Sequence, residues 1–224
     1  MSEIRDTLMA GDAFAALAFH EEADPSRQRS AHVRETIVGV AERKFLDFGY
    51  DAVSTHEISK EAGVPQSLIR YHFGAKIGLW QAAMDAYFGR FRNDFHARIT
   101  ALSGLDDASF LRGVIGFIAS WPASNYPYIQ KAMAEINRDD ADMLGWLAAR
   151  HIQPIYRVVT QILAGGQRAG LVRDVPLPNL YYILFLASSI FGLSDEIGLV
   201  TGVDATAESF EKDHAQAVIS LLMR

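Results

Sequence analysis

Three polar residues, Gln66, Ser67 and Arg70, have the chemistry to read DNA bases. A glutamine amide pairs with the edge of adenine through two hydrogen bonds, and an arginine guanidinium pairs in the same way with guanine. The three residues fall at the start and in the first turn of a predicted helix, where contacts to base edges concentrate. We therefore predict that they face the major groove of double-stranded DNA.

Groups that suit phosphate oxygens surround these three positions. Hydroxyl, phenol, imidazole and ammonium groups near helix starts bind the DNA backbone. The predicted backbone contacts are Ser54, Thr55, His56, Tyr71, His72 and Lys76. For Ser54, a role as a helix cap is an equally good interpretation, and the two stay open.

Two short helices around a glycine turn are predicted to position these side chains. Ser54 and Glu57 have the spacing of a capping box, in which each side chain satisfies a backbone N–H at the helix start. Gly63 ends that helix where a left-handed residue is needed, and Pro65 begins the next one where its missing N–H costs nothing. This is the helix-turn-helix pattern, whose second helix enters the major groove.

An ordinary helical hairpin would carry the same caps and stops, so the flanking segments decide between the two interpretations. Residues 33–50 are predicted to form an amphipathic helix, and another helix opens at Lys76. The apolar stripe of the first helix consists of Ile37, Val40, Ala41, Phe45 and Phe48. A helix on each side of the hairpin favours a DNA-binding domain.

The segment 41–80 resembles the TetR (tetracycline repressor) family of transcriptional regulators. The matching features are Phe48-Gly49-Tyr50, Ile58 through Ala62-Gly63-Val64, Tyr71-His72-Phe73 and Lys76. The resemblance implies an all-α fold, with an N-terminal three-helix helix-turn-helix DNA-binding domain and a C-terminal helical ligand-binding and dimerisation domain. It also implies a cavity inside the C-terminal domain and a homodimer.

Two residues depart from the pattern of that family. Arg70 stands where the family usually has Tyr, and Gly74 where it often has Pro. We expect Arg70 to alter the base preference and Gly74 to loosen the link to the next helix.

Composition limits the class of protein. The chain has 224 residues, half of them hydrophobic, so it can bury a sizeable core. Without cysteine it has no disulfide framework and no thiolate metal site. We see no apolar run that approaches the length of a membrane span and no signal peptide. A soluble cytoplasmic protein with no membrane partner is predicted.

The net charge of −6 is unevenly distributed. Residues 1–26 carry −5, residues 27–98 carry +3 and residues 99–224 carry −4. Salt screens charges beyond about 8–10 Å, so phosphate attraction is local. The segment with net positive charge contains the predicted helix-turn-helix, which is compatible with DNA binding.

The chain divides into three predicted parts: an N-terminal extension (1–29), the DNA-binding domain (30–91) and the C-terminal domain (92–224). In the extension, residues 7–20 have the pattern of a short helix and residues 21–29 that of a linker. The extension is either a mobile tail or an arm whose Arg27 and Arg29 reach DNA. Helices are predicted beyond it over 76–99, 106–121, 127–137, 141–169 with a kink or break at Pro154, 178–194 and 206–223.

The residues that could be catalytic have a simpler interpretation. His151 and His214 are isolated in sequence, and Asp139, Asp140 and Asp142 sit at a helix start, where acidic residues favour the helix dipole. The sequence contains no G-x-S-x-G, H-E-x-x-H or G-x-x-x-x-G-K motif, and no G-x-G-x-x-G after a strand. We predict no enzyme, no cofactor and no metal.

Aromatic residues are dense in the C-terminal half. Most of them fill the core, but Tyr and Trp between helices also line small-molecule pockets. The predicted lining of an apolar or aromatic effector site is Phe117, Trp121, Tyr126, Trp146, His151, Tyr156 and Phe185. Arg150 and Arg157 leave open an effector with a carboxylate, although exposure on the surface is their commoner fate.

The last two predicted helices carry broad apolar surfaces, which suggest a four-helix bundle between two copies, although burial within one chain gives the same periodicity. We interpret the chain as a ligand-responsive repressor that binds a palindromic site as a homodimer. The alternative is a helical small-molecule-binding protein or enzyme with a vestigial helix-turn-helix.

Overall fold

The predicted all-α fold is confirmed. In this computed structural model, residues 25–125 and 141–224 are described, with side chains at 30–121 and 142–224. The helices of these ranges are α1 (Pro25–Phe48), α2 (Thr55–Glu61), α3 (Gln66–Phe73), α4 (Lys76–Leu102), α5 (Asp107–Asn125), α6 (Ala141–Leu147), α7 (Gln153–Arg168), α8 (Leu177–Ala187), α9 (Ser194–Thr201) and α10 (Glu208–Leu222).

Two compact units contain the described residues. One consists of 25–90 and 141–151, and the other of 91–125 and 152–224. The long helix α4 therefore contributes its first turns to the first unit and its remaining turns to the second. The division into 1–29, 30–91 and 92–224 stays a prediction.

The core of the first unit follows from the spacing of apolar residues along α1. Ile37, Ala41 and Phe45 recur every four positions, so they share one face of the helix, and all three are buried. Ile58 from α2 and Ile69 from α3 are buried with them. Burying a large aliphatic or aromatic side chain contributes about 1.5–3 kcal/mol, so this cluster fixes the three-helix arrangement.

Ion pairs link α1 to its neighbours. Arg90 on α4 forms a two-point hydrogen-bonded ion pair with Glu42, a carboxylate that is otherwise buried in α1. Lys44 Nζ lies 2.9 Å from Glu61 Oε2 on α2. The Glu42 carboxylate is buried and bound at two points by Arg90, whereas the Glu61 carboxylate is partly exposed. We therefore expect the first pair to orient α4 on α1 more strongly than the second orients α2.

Pro154 interrupts the long predicted helix over 141–169. A π-helical turn (Ala148–Ile152) separates α6 from α7, and Pro154 lies in the first turn of α7. Proline has no N–H to donate to the preceding turn, and its ring crowds the carbonyl four residues back. The predicted kink or break is thus a change in helix type.

In the second unit, α5 occupies the centre. Its buried residues, such as Phe110, Val114 and Ile118, pack against α7, α8 and α10. The end of α10 is fastened by a bridge between Val172 and Met223. Asp106 precedes α5, and its carboxylate accepts from the N–H of Ser109, as expected for an acidic residue at a helix start.

The segment Leu177–Thr201 corrects the expectation about apolar runs. It is helical over 25 residues, and its most apolar 18-residue window has a mean hydropathy of 1.7, so it is long and apolar enough by length and composition to cross a membrane. It was missed because α8, a 3-10 turn (Ser188–Leu193) and α9 follow one another without a break. Only 17% of its most apolar window is buried in the described chain.

Some sequence predictions differ from the structure or fall outside it. Residues 25–29 belong to α1, which starts at Pro25, so the predicted linker 21–29 is wrong in its last part. Proline at a helix start is favourable because its missing N–H would be unpaired there. The predicted helices over 7–20 and 127–137, together with Asp139 and Asp140, lie outside the described residues.

Candidate nucleic-acid interface

The start of α2 is closed by its own side chains. The Ser54 hydroxyl accepts from Glu57 N at 3.1 Å, and the Glu57 carboxylate accepts from Ser54 N at 2.9 Å. The hydroxyl also donates to that carboxylate at 2.8 Å. These bonds from the Ser54 backbone and side chain lower the pKa of Glu57. The hydroxyl proton of Ser54 is therefore engaged within the capping box.

The turn between α2 and α3 fixes which face of α3 is exposed. Gly63 has φ +66°, which is open to glycine and strained for other residues. After Pro65, Ile69 is the buried residue of α3, whereas Gln66 and Arg70 are exposed. The polar start of α3 thus faces outward, as base recognition requires.

A tight turn joins α3 to α4. Gly74 has φ +71° and ψ −71°, and Ala75 N donates to Phe73 O at 2.8 Å, which defines a γ-turn of the positive-φ kind. Four residues later, a Cβ on Gly78 would lie 2.2 Å from Phe73 O. The link expected to be loosened by Gly74 is instead hydrogen-bonded, and proline could not adopt this φ.

The starts of α2, α3 and α4 open onto one surface cavity of about 840 Å³, here called the three-helix cradle. Its lining consists of Asp51, Ala52, Val53, Ser54, Thr55, Gln66, Ser67, Ile69, Arg70, Gly74, Ala75 and Lys76. Helix N-termini present backbone N–H groups and a positive dipole end, and Arg70 and Lys76 add full charges. The cradle can therefore accept an anionic backbone while it presents amide and guanidinium groups.

The structure brings together six of the nine predicted DNA-contacting residues. The residues that line the cradle are Ser54, Thr55, Gln66, Ser67, Arg70 and Lys76. His56 is exposed in the first turn of α2, outside this lining. Tyr71 is 79% exposed and lies edge-on to His72, with ring centroids 5.0 Å apart.

Two local partners hold Lys76 in place. Its Nζ lies 4.3 Å from the centroid of the Tyr50 ring and 3.4 Å from the Asp51 carbonyl oxygen. A cation over a tyrosine face is favourable by about 0.5–1 kcal/mol at an exposed site. The aromatic-glycine turn before α2 thereby orients an ammonium group at the start of α4, a role for Tyr50 that sequence reasoning missed.

A second contact was also missed. Gln66 Nε2 donates to Thr55 Oγ1 at 3.0 Å, which joins the start of α3 to the start of α2. No sequence rule signals a bond between residues eleven positions apart, because it depends on the angle between two helices.

The predicted effector-lining residues separate into two groups. Phe117, Trp121 and Phe185 all lie within about 6 Å of the Phe91 ring in the second unit, as measured between ring centroids. Trp121 is buried, and its Nε1 donates to Asp94 at 2.9 Å.

Tyr156 extends this aromatic group through Tyr181. The rings of Tyr156 and Tyr181 are 4.9 Å apart, and those of Tyr181 and Phe185 are 4.4 Å apart. Burial raises the pKa of Tyr181, so its phenol stays protonated. Tyr126 lies outside the described residues.

Trp146 and His151 belong to the first unit. The Trp146 ring lies 5.5 Å from that of Trp80, and the buried His151 ring stacks on Phe88 at 4.7 Å. His151 Nε2 is 3.1 Å from Asp85 Oδ1. The π-helical turn thus packs on α4 within the same unit as the helix-turn-helix.

Arg150, adjacent to His151, makes two hydrogen bonds to the Asp85 carboxylate, at 2.5 and 3.1 Å. Partial burial opposes ionisation of Asp85, but hydrogen bonds from His151 and Arg150 outweigh it and lower its pKa to about 2. Arg157 is exposed. Within the described ranges, no cluster of His, Asp or Glu has the arrangement of a metal site.

Comparison with known proteins adds the context for this geometry. The family model described as bacterial regulatory proteins, tetR family, matches residues 37–83. The model described as tetracyclin repressor-like, C-terminal domain, matches residues 107–224. No curated protein sequence matches at a significant level.

Solved structures share the fold. A linker-substituted variant of HlyIIR superposes with a TM-score of 0.65 at 21% identity, over 86% of this chain and 97% of that chain. HlyIIR itself, a hemolysin II transcriptional regulator, superposes with a TM-score of 0.63 at 18% identity, over 87% of this chain and 98% of that chain. The ketosteroid transcriptional regulator KstR2 of Mycobacterium tuberculosis superposes with a TM-score of 0.61 at 13% identity, over 85% of this chain and 95% of that chain. At these identities the likeness concerns the fold alone.

Proposed function

Because the chain belongs to the TetR family of bacterial regulatory proteins, we propose that this DNA-binding transcriptional regulator is a repressor released by a small-molecule effector. It acts as a homodimer on a palindromic operator in the cytoplasm. The observation that carries the DNA-binding part is the three-helix cradle, where Gln66 and Arg70 stand exposed beside three helix starts.

The chemistry of the cradle fits a DNA duplex. Backbone phosphates suit the helix starts and Lys76, whereas base edges suit an amide and a guanidinium on the first turns of α3. The recognition helix is held by its buried Ile69 and by the γ-turn at Gly74, so it enters the groove as a rigid element. Rigid presentation lowers the entropy lost on binding.

The exposed apolar surface of Leu177–Thr201 supports the homodimer. Tyr182 and Leu186 on α8 are 56% and 59% exposed, and Leu199 on α9 is 89% exposed. Leu221 on α10 is also largely exposed. Soluble monomers rarely leave a large apolar patch uncovered. A second copy of the chain can cover these residues, and a two-fold axis would place two recognition helices on a palindrome.

The aromatic cluster around Phe91 supports an apolar or aromatic effector. Phe117, Trp121, Tyr156 and Phe185 provide the rings and polar tips that small-molecule sites use. An effector acts by binding one conformation of the dimer better than another, and its effect on DNA affinity is limited by that difference. Helix α4 and the π-helical turn before Pro154 are the proposed carriers of the coupling.

Selection of bound DNA from a random duplex pool tests the function directly. The expected product is an inverted repeat whose half-site centres lie about one helical turn apart, or a multiple of it, protected in footprinting at physiological salt. The matched control is the variant with Gln66→Ala and Arg70→Ala, which should fold as the parent does and lose the selected motif. If the selected DNA shows no common motif and its binding is lost at higher salt, the result would favour the alternative, a helical small-molecule-binding protein or enzyme with a vestigial helix-turn-helix.

Sedimentation tests the dimer. The wild-type chain should sediment as a dimer, and Leu186→Glu with Leu199→Glu should shift it to monomer while the helical content is kept. A monomeric wild type that partitions into lipid vesicles would instead assign the apolar segment to a membrane.

A further inference from the structure

The side chains of Thr55 and Gln66 meet on the wall of the three-helix cradle. The bond from Gln66 Nε2 to Thr55 Oγ1 spans 3.0 Å and is the contact between the first residue of α2 and the first residue of α3. Gln66 is exposed, and Thr55 is half-buried. A bond at this place can restrict an amide that would otherwise rotate freely in solvent.

The hydrogen-bonding capacity of the glutamine makes the restriction useful. A primary amide has two N–H donors and one carbonyl acceptor. The bond to Thr55 occupies one donor, which leaves one donor and the acceptor. Adenine presents one acceptor (N7) and one donor (N6–H) in the major groove, the complement of that pair. The second N–H of the Gln66 amide, which adenine cannot accept, is thus bonded to Thr55 and does not point into the groove without a partner.

The threonine hydroxyl keeps its own proton while it accepts from Gln66, because a hydroxyl can donate and accept together. The remaining proton is available to a phosphate oxygen at the start of α2. The Thr55 hydroxyl can then bind a backbone phosphate and orient the Gln66 amide at the same time. The position of the protein along the DNA backbone would thus be coupled to the orientation of the amide that reads the base.

We propose that Thr55 is a positioning residue for base recognition, whose hydroxyl fixes the Gln66 amide in the orientation that reads adenine. This inference rests on the proposed base-reading role of Gln66. Thr55 acts through Gln66, so its removal changes the preference at one base pair and leaves the preferences read by Arg70 unchanged.

The experiment uses the full-length chain and the DNA site chosen by selection. Relative affinities are measured by competition for that site and for the three substitutions at each base pair. Gln66→Ala identifies the base pair that Gln66 reads, as the one whose preference disappears. At that base pair, Thr55→Val should reduce the preference for adenine about two- to tenfold, the contribution of one net hydrogen bond.

Three companion variants make the result specific. Thr55→Ser keeps the hydroxyl and should restore the preference. Thr36→Val removes an exposed threonine hydroxyl on α1, outside the cradle, and should leave that base pair unaffected. Thr55→Val on the Gln66→Ala background should change the preference no further, because the positioned group is already gone.

Several outcomes overturn the proposal. One is an equal loss of affinity on all four bases in Thr55→Val, which would make Thr55 a backbone contact only. Others are failure of Thr55→Ser to restore the preference, and Gln66→Ala leaving every preference intact. If Thr55→Val does not fold by circular dichroism, Thr55→Ala replaces it in the same comparison. A wild-type chain that selects no motif would refute the proposed function itself.

Discussion

Substitution of Gly78 by alanine should displace the recognition helix. The added Cβ would lie 2.2 Å from the carbonyl oxygen of Phe73. A carbon–oxygen contact normally needs about 3.3 Å or more, so the end of α3 must move by about 1 Å. The obstacle is backbone, which cannot rotate away as a side chain can.

The expected cost follows from two opposing effects. Overpacking a tight site lowers the free energy of unfolding by about 1–3 kcal/mol, whereas replacing glycine by alanine inside a helix raises it by about 0.5–1 kcal/mol. Because the clash is severe and involves backbone, we take the upper part of the first range, which gives a net loss of about 1–2 kcal/mol. For a chain of this size that lowers Tm by about 2–8 °C.

Thermal unfolding and DNA competition are the assays, and Gly39→Ala is the matched control. Gly39 lies within α1 with nothing within 4 Å of its added Cβ, so alanine there should keep or raise Tm. Gly78→Ala should lower both Tm and affinity for the selected site. If Gly78→Ala matches Gly39→Ala in Tm and binds the site as the wild type does, the close approach does not position α3.

Four further outcomes are expected. Arg70→Ala should relax specificity at one base pair by about 1–3 kcal/mol, and a loss that is equal on all sequences would make it a phosphate contact. Lys76→Ala should reduce the salt slope of DNA binding by about one unit, and an unchanged slope would remove it from the backbone contacts. Trp121→Ala, if folded, should lose the rise in Tm caused by an effector found in a thermal-shift screen while it keeps DNA affinity; an unchanged response would place the site elsewhere. Asp85 has its pKa lowered to about 2, so its bonds stabilise the fold above about pH 4 and are lost as pH falls through 2. The Tm advantage of the wild type over Asp85→Asn should therefore disappear between about pH 4 and pH 2, and an advantage that is independent of pH would contradict this.

The local signals of the helix-turn-helix could be predicted from sequence because each depends on residues a few positions apart. The cap at Ser54, the positive φ of Gly63 and the buried position of Ile37 all follow from such short spacings. The γ-turn at Gly74 could not be predicted, because the choice of turn depends on the angle between α3 and α4. The contact of Gln66 with Thr55 depends in the same way on the angle between two helices.

The extent of apolar surface was harder to judge. Periodicity showed that α8 and α10 have broad apolar faces, and burial within one chain fits such a pattern as well as an interface does. The structure leaves Tyr182 and Leu199 exposed. The sequence also did not reveal that Leu177–Thr201 is helical without interruption. Asp195 and Glu196 were interpreted as the end of a helix, but in the structure they lie in the first turn of α9.

The positions of Trp146 and His151 change what the aromatic residues are expected to do. Both were predicted to line the effector site, and that prediction remains open. Their contacts, however, are with Trp80 and Phe88 on α4, and Arg150 beside them is held by Asp85. An aromatic pair inside a unit contributes about 0.5–1.5 kcal/mol beyond its buried area, enough to account for Trp146 without a ligand.

This packing assigns the π-helical turn to the stability of the DNA-binding unit. Loss of the Trp146 ring should then lower Tm and weaken operator binding together, because α4 carries Lys76 and follows directly from the recognition helix. Loss of the Trp121 ring should instead affect the effector response. A Trp146→Ala variant that keeps its Tm and its DNA affinity but no longer responds to the effector would show that the ring lines the effector site after all.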